Sequence, residues 1–160
     1  MSGGKRGLRV PWHSSKTGQQ SEASSGYELI RMWQLDHDPD VVTWKKNAER
    51  VPYGEGRSYV PDFLVERRDG TKTVEEVKPT YLLSDPVVQQ KAAAARKFFA
   101  KQGIDYRFIT EYHLREHLAL FDLTHRSGIS AALRQKLDTL TRTLMRGFVK
   151  SQEASWQPSM

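Results

Sequence analysis

Apolar and polar positions along the chain follow two spacings, one typical of helices and one typical of strands. Apolar residues three and four positions apart predict four helices, at residues 27–35, 86–102, 112–120 and 129–150. Short alternating or continuous apolar runs predict strands at residues 41–44, 51–53, 57–67, 72–78 and 104–110. This order of elements predicts an α/β (α+β) domain whose mixed central sheet is flanked by helices, with a helical C-terminal extension.

The sharpest turn signal is the run Arg-Asp-Gly at residues 68–70, which lies between two predicted strands. A three-residue loop there, closed by its glycine in the left-handed conformation, fixes how the two strands pair. Counting back along both strands sets Asp62 directly opposite Glu76, with Cβ atoms about 4.5–5.5 Å apart. A two-residue loop would instead turn Asp62 to the other face of the sheet.

Glu76 and Lys78 lie two residues apart on the second strand of this hairpin, so their side chains project from one face. Together with Asp62 they form a patch of two carboxylates and an ammonium group. Two carboxylates suit a hard cation such as Mg²⁺, with Mn²⁺ as a substitute, and the cation activates water toward a phosphodiester. A neighbouring lysine can orient or deprotonate that water. The patch predicts metal-dependent hydrolysis, and an exposed pair of charged strand residues is the simpler alternative.

The composition narrows the class of protein further. With 160 residues the chain has the length of one domain, and its formal charge of +6 favours a polyanion as partner. The absence of cysteine excludes a disulfide scaffold, thiolate catalysis and every zinc site that needs sulfur. No apolar run is long enough for a membrane span, and the N-terminus lacks a signal-peptide pattern, so we expect an intracellular protein without a membrane partner.

Basic residues near the two ends of the chain are the candidate DNA contacts. Residues 1–24 are predicted to form a basic disordered arm, and residues 151–160 a tail. The candidates for contacts with the DNA backbone are Lys5, Arg6 and Arg9 in the arm and Arg142 and Arg146 on the last helix. An ordinary disordered terminus and a solvated helix face are the alternatives for these two clusters.

Four short stretches fall in the order of a known nuclease family, namely Tyr27-Glu28-Leu29, Tyr59-Val60-Pro61-Asp62-Phe63, Glu76-Val77-Lys78 and Arg107-Phe108-Ile109-Thr110-Glu111. Through them, residues 22–112 resemble the PD-(D/E)xK nuclease superfamily and, within it, TnsA-like endonucleases, the strand-cleaving subunits of heteromeric transposases. The resemblance implies a restriction-endonuclease-like core at residues 25–112 and a Mg²⁺-dependent endonuclease acting on double-stranded DNA. TnsA-like subunits carry a larger C-terminal partner-binding domain than the extension at 113–150.

The same resemblance implies roles for individual residues. The residues implied to be catalytic are Glu28, Asp62, Glu76 and Lys78. Asp62 and Glu76 would be the metal ligands, with the backbone carbonyl of Val77 completing the site. Lys78 would position the attacking water, and the glutamate on the first helix would be a supporting acid. The helix after the hairpin would lie near this site, which makes Lys91 a candidate phosphate contact.

Several alternatives stay open at this point. The core and the chain length are also similar to those of phage head-completion nucleases, and a resolvase-like nuclease or a noncatalytic DNA-binding or virion structural protein with this fold is a further alternative. Residues 113–117 fit the H-x-x-E-H pattern of zinc peptidases, which we set aside because Glu153 is the one later glutamate. A transposase, a phage-head protein and a second copy of the chain are the open partners. The expected location is the cytoplasm of a bacterial or phage-infected cell, or the virion.

Overall fold

The computed structural model describes residues 9–122, with side chains up to residue 117. In this part of the chain the elements are, in order, β1 (Val10–His13), β2 (Gln20–Ala23), α1 (Gly26–His37), β3 (Val41–Lys46), β4 (Val51–Gly54), β5 (Arg57–Tyr59), β6 (Phe63–Arg67), β7 (Lys72–Val77), α2 (Pro86–Ala100), β8 (Asp105–Ile109) and α3 (Glu111–Asp122). A 3₁₀ turn at Thr80–Leu82 lies between β7 and α2. The chain divides into two compact units, residues 1–114 and 115–160, and every described strand lies in the first. None of the described helices is long and apolar enough to cross a membrane.

A four-stranded mixed sheet in the order β3-β6-β7-β8 forms the centre of the first unit. The strands β3, β6 and β7 are antiparallel neighbours, whereas β8 runs parallel to β7 and is reached through α2. The pairs β1-β2 and β4-β5 form separate two-stranded ribbons. The predicted α/β (α+β) fold with a mixed central sheet is therefore confirmed, and it is consistent with a restriction-endonuclease-like core.

The β6-β7 hairpin has the register that the sequence predicts. Arg67 donates its N–H to the carbonyl of Thr71 at 3.0 Å, and Phe63 pairs with Glu75. Gly70 closes the loop with a φ of +84°, a conformation that glycine adopts readily because it has no Cβ. The three-residue loop is confirmed, and the residue before β6 therefore stands opposite the next residue of β7.

The single strand predicted at residues 57–67 is wrong, because this stretch divides into β5 and β6, which belong to different sheets. Between them, Pro61 has no N–H to give to a strand ladder. The carbonyls of Pro61 and Asp62 instead accept hydrogen bonds from the N–H groups of Ala48 and Asn47, at 3.0 and 2.7 Å. These bonds hold the link between the two strands against the chain that follows β3.

The two faces of the sheet pack against different helices. On one face, Val74 of β7 lies in a buried cluster with Ala92 and Phe99 of α2. On the other face, Glu75 is fully buried and bonded to Arg31 of α1. Because successive strand residues point to opposite faces, even-numbered positions of β7 face α2 and odd-numbered positions face α1.

Capping residues precede α1 and α2, which begin close to where the sequence predicts. The Oγ of Ser25 accepts a hydrogen bond from the N–H of Glu28 at 3.1 Å, which starts α1. The carboxylate of Asp85 accepts one from the N–H of Val87 at 2.8 Å, which starts α2. Gly103, with a φ of +70°, follows the end of α2. The first of these caps fixes the position of Glu28 in the first turn of α1.

The prediction of a disordered arm at residues 1–24 is wrong for residues 10–23, which form the β1-β2 hairpin. The carboxylate of Asp36, near the end of α1, accepts hydrogen bonds from Nε1 of Trp12 at 2.9 Å and from Nε1 of Trp44 at 2.8 Å. The low apolar content of this stretch predicted disorder. The hairpin instead depends on polar contacts with α1 and β3 rather than on an apolar core of its own.

Other predictions fall on residues that the structure does not describe. These are Lys5, Arg6, Arg142, Arg146, the helix at 129–150 and the tail at 151–160. Of the candidate DNA contacts, Arg9 is described and lies immediately before β1.

Candidate active site

The carboxyl end of β7 and the residue before β6 carry the predicted chemistry. The Oδ2 of Asp62 accepts a hydrogen bond from the N–H of Val77 at 2.8 Å, which ties the start of β6 to the end of β7. The Nζ of Lys78 lies 3.8 Å from Oε1 of Glu76. The register thus brings two carboxylates and an ammonium group together, as the sequence predicts.

One cavity of about 370 Å³ collects these groups at the end of the sheet. Five residues singled out in the sequence line it, namely Glu28, Asp62, Glu76, Val77 and Lys78. Tyr27 at the start of α1 and Leu82 in the turn after β7 also line the cavity. We call this space the active-site cavity, and its chemistry comes from α1 and from the β6-β7 hairpin.

Glu76 is held with one carboxylate oxygen unsatisfied. Its side chain is 13 % exposed, and its Oε2 is buried without a hydrogen-bond partner. Burial of a carboxylate oxygen without a donor is unfavourable, and each such group in a folded protein needs an explanation such as a bound ion. The orphaned oxygen therefore marks the point in the cavity where a cation fits.

Burial and like charge raise the pKa values of both carboxylic acids. Burial, together with the charges of Glu76 and Glu28, raises the pKa of Asp62 to about 8, against the opposing effects of the Val77 N–H and Lys78. Burial also raises the pKa of Glu76, although Lys78 acts to lower it. Two negative charges in this small buried volume are unfavourable on their own, so the pair is suited to exchange protons for a cation.

Glu28 lines the same cavity but is already bound by the protein. Its Oε2 accepts a hydrogen bond from the N–H of Ser24 at 2.7 Å and lies 3.1 Å from the Nζ of Lys46. Sequence reasoning missed Lys46. Lys46 lies two residues after the buried Trp44 on β3, so the two side chains project from the same face of the strand. Trp44 bonds to α1, and this alternation could therefore have indicated that Lys46 also faces α1. Glu28 is therefore held at the edge of the cavity by its own ion pair.

The donors that could hold a cation are two carboxylates and one backbone carbonyl. Among the described residues, no group of three or more His, Asp or Glu side chains could hold a metal ion. The N–H of Val77 faces Asp62, and the N–H and C=O of one strand residue lie along the same edge, so the Val77 carbonyl faces this side as well. Oxygen donors of this kind, from Asp62, Glu76 and Val77, fit Mg²⁺ and leave room for bound water.

Lys91 approaches the carboxylates from α2, held between two tyrosines. Its Nζ lies 5.3 Å from the ring centroid of Tyr53 and 5.4 Å from that of Tyr59. The hydroxyl of Tyr59 also donates to the backbone carbonyl of Lys91 at 3.1 Å. The charge of Lys91 acts to lower the pKa of Glu76. Sequence reasoning missed both tyrosines, because nothing in the spacing of β4 and β5 connects them with α2.

Fold and site together point to one class of protein. A mixed sheet that presents Pro-Asp before one strand and Glu-Val-Lys at the end of its neighbour is consistent with the core of PD-(D/E)xK nucleases. Residues 38–111, from before β3 to the first residue of α3, match the family model described as TnsA-like endonuclease N terminal. The resemblance to TnsA-like endonucleases is thereby confirmed, and it supports a nuclease; Glu28 lies outside the matched segment. No curated protein matches the chain.

Proposed function

We propose that the chain is a metal-dependent DNA endonuclease that hydrolyses phosphodiester bonds, with Mg²⁺ as cofactor and Mn²⁺ as a substitute. The observation that carries the proposal is the buried, unpartnered Oε2 of Glu76, in a cavity shared with Asp62 and Lys78. Buried carboxylates with raised pKa values are stabilised when a cation replaces their protons. The match to an endonuclease domain supports the same class of reaction.

Asp62 and Glu76 are the proposed metal ligands, with the carbonyl of Val77 as a third donor. A divalent cation held there supplies positive charge to the phosphate and makes water a stronger nucleophile. The N–H of Val77 fixes one oxygen of Asp62, whereas the unpartnered oxygen of Glu76 is ready to bind. The site thus combines one carboxylate held by the backbone with one whose oxygen is still available.

Lys78 is proposed to position the attacking water. Its side chain is 32 % exposed and its Nζ lies 3.8 Å from Oε1 of Glu76, so it is close both to a proposed metal ligand and to solvent. A positive charge at this point also offsets the charge that develops on the phosphate. Lys91, over its two tyrosine rings, is the proposed phosphate contact. Glu28, paired with Lys46, is the proposed supporting acid.

The proposed substrate is double-stranded DNA, and the proposed setting is the cleavage of transposon ends. This setting follows from the match to the N-terminal domain of TnsA-like endonucleases, and it makes a transposase protein the expected partner. A phage head-completion or resolvase-like nuclease would share the same core, and no feature of residues 9–122 favours it. A noncatalytic protein with this fold would have no need to bring Asp62, Glu76 and Lys78 to one cavity.

Calorimetric titration with Mn²⁺ tests this proposal. Asp62→Ala removes a ligand, so we expect metal affinity to fall by more than the roughly 10- to 100-fold typical of outer-shell changes, and cleavage to be lost with it. Asp105→Ala is the matched control, because Asp105 is exposed at the start of β8 and pairs with Thr73, three residues before Glu76 on β7. Equal Mn²⁺ affinity in the two variants would contradict the assignment of Asp62 as a ligand.

A further inference from the structure

A second polar cavity, of about 520 Å³, lies between the β1-β2 hairpin and the end of β3. We call it the polar groove, and it is lined by Arg9, Gln19, Gln20, Ser21, Glu22, Ser24, Lys46 and Asn47. Its wall carries a guanidinium group, an ammonium group and three side-chain amides, all of which donate hydrogen bonds, beside the one carboxylate of Glu22, which pairs with Arg9. Donors of this kind match the oxygens of a sugar–phosphate backbone.

Three contacts join the polar groove to the active-site cavity. Ser24 lines both spaces. Lys46 of the groove lies 3.1 Å from Glu28 of the active-site cavity. Asn47 of the groove donates its N–H to the carbonyl of Asp62 at 2.7 Å. An extended ligand that enters the active-site cavity can therefore continue into the groove along one surface.

Asn47 adopts a backbone conformation that few residues tolerate. Its φ of +61° lies in the left-handed region, where asparagine is among the better-tolerated side chains. This conformation directs the N–H to Asp62, while the exposed side chain lines the groove. Glycine would meet the backbone requirement at least as well, so the backbone alone does not account for an amide at this position.

Arg9 and Ser21 supply further hydrogen-bonding groups to the groove. The side chain of Arg9 is 79 % exposed, and its pairing with Glu22 at 3.5 Å engages one edge of a group with five N–H donors. The Oγ of Ser21 is buried without a hydrogen-bond partner. A ligand rich in acceptor oxygens would satisfy both groups.

We propose that the polar groove binds the sugar–phosphate backbone of the DNA strand that continues from the active site. Arg9 contacts a phosphate, and the amide of Asn47 contacts a neighbouring sugar or phosphate oxygen. This inference rests on the proposed nuclease function and extends it to the substrate beyond the cleaved bond. Because Asn47 also holds the backbone of Asp62, a strand bound in the groove is placed in register with the carboxylates.

The test is binding of a short fluorescein-labelled DNA duplex, measured by anisotropy over a range of salt concentrations. The parent protein carries Lys78→Ala, with Mg²⁺ present, so that the duplex stays intact. Arg9→Ala should weaken binding and make the salt dependence shallower by about 0.9 in log–log slope, the value for one phosphate. Asn47→Gly keeps the left-handed backbone and removes a neutral hydrogen bond, so affinity should fall roughly 2- to 10-fold with an unchanged slope.

Lys72→Ala is the matched control, because Lys72 is an exposed cation at the opposite end of β7 from Glu76. It should bind like the parent protein. If Arg9→Ala and Asn47→Gly also bind like the parent, the groove proposal is overturned and the nuclease proposal is unaffected. If the parent binds no duplex DNA, the nuclease proposal fails and the groove proposal fails with it. Should Asn47→Gly prove unstable, the slope of Arg9→Ala decides, since Arg9 is exposed.

Discussion

The carboxylates of Asp62 and Glu76 occupy positions where the folded protein disfavours their charge. Both are largely enclosed. Burial raises the pKa of each carboxylic acid, and the charge of Glu76 raises the pKa of Asp62 further. A proton and a metal ion are alternative ways to relieve this unfavourable charge, so the two compete for the same oxygens. The competition makes stability and metal affinity depend on pH in opposite directions.

A pH series of denaturant unfolding in EDTA should show this dependence. The pKa of Asp62 is raised from 3.8 to about 8, so the folded state binds more protons than the unfolded state between those values. The contribution of Asp62 to the free energy of unfolding should therefore be largest below the lower value and be lost as pH rises through the upper one. Asp62→Asn should flatten the decline. The same pH dependence in the wild type and in Asp62→Asn would contradict the raised pKa of Asp62.

At the scale of the element, the two adjacent glutamates of β7 face opposite sides of the sheet and have different roles. Glu75 faces α1, where Arg31 donates to both of its oxygens, at 2.8 and 2.7 Å, and Arg107 donates to Oε2 at 2.7 Å. Burial alone would raise the pKa of Glu75, but the two guanidinium groups outweigh it and hold the pKa below its usual range. Glu76 on the other face has no such partner for its Oε2. Glu75 therefore anchors β7 to α1, whereas Glu76 is available for the proposed reaction.

Removal of Arg31 tests whether its ion pair with Glu75 stabilises the fold. Arg31→Ala leaves Oε1 of the fully buried Glu75 without its donor, and we expect a loss of about 3–5 kcal/mol in the free energy of unfolding. Arg107→Ala is the control, because Arg107 is 44 % exposed and contacts an oxygen that Arg31 also binds, so its loss should cost no more than about 1 kcal/mol. Urea denaturation of the two variants measures the difference. Equal losses would show that Arg31 does not anchor the strand.

The sequence predicted those parts of the fold that depend on neighbours along the chain. The hairpin register followed from one glycine, and the separation of Glu75 from Glu76 followed from strand alternation. Alternation along β3 could have placed Lys46 on the face of Trp44 but not beside Glu28. That contact, and those of the two tyrosines with Lys91, join segments whose distance is set by tertiary packing. The β1-β2 hairpin was missed for a related reason, since polar contacts with Asp36 replace the apolar core that composition can reveal.

At the scale of the whole molecule, the proposed site depends on segments that are distant in the sequence. The first turn of α1, the β6-β7 hairpin and the side of α2 that carries Lys91 contribute to it, and the β1-β2 hairpin adds the adjoining groove. Deletion of residues 1–20 would therefore remove β1, a strand of the folded unit. Single substitutions such as Arg9→Ala separate DNA contact from folding, which a truncation cannot do.

The most direct test of the central claim is nicking of supercoiled plasmid with Mg²⁺ or Mn²⁺ by the wild type and by Lys78→Ala, with Lys72→Ala as the charge-matched control. We predict cleavage by the wild type and the control, and a loss of about 10²- to 10⁴-fold in Lys78→Ala, the usual range for general acid–base assistance. Mn²⁺ affinity should be retained in Lys78→Ala, because the substitution removes a like charge beside the cation. Cleavage by Lys78→Ala at the wild-type rate, or no cleavage by the wild type with either metal and with a transposase partner present, would contradict the account.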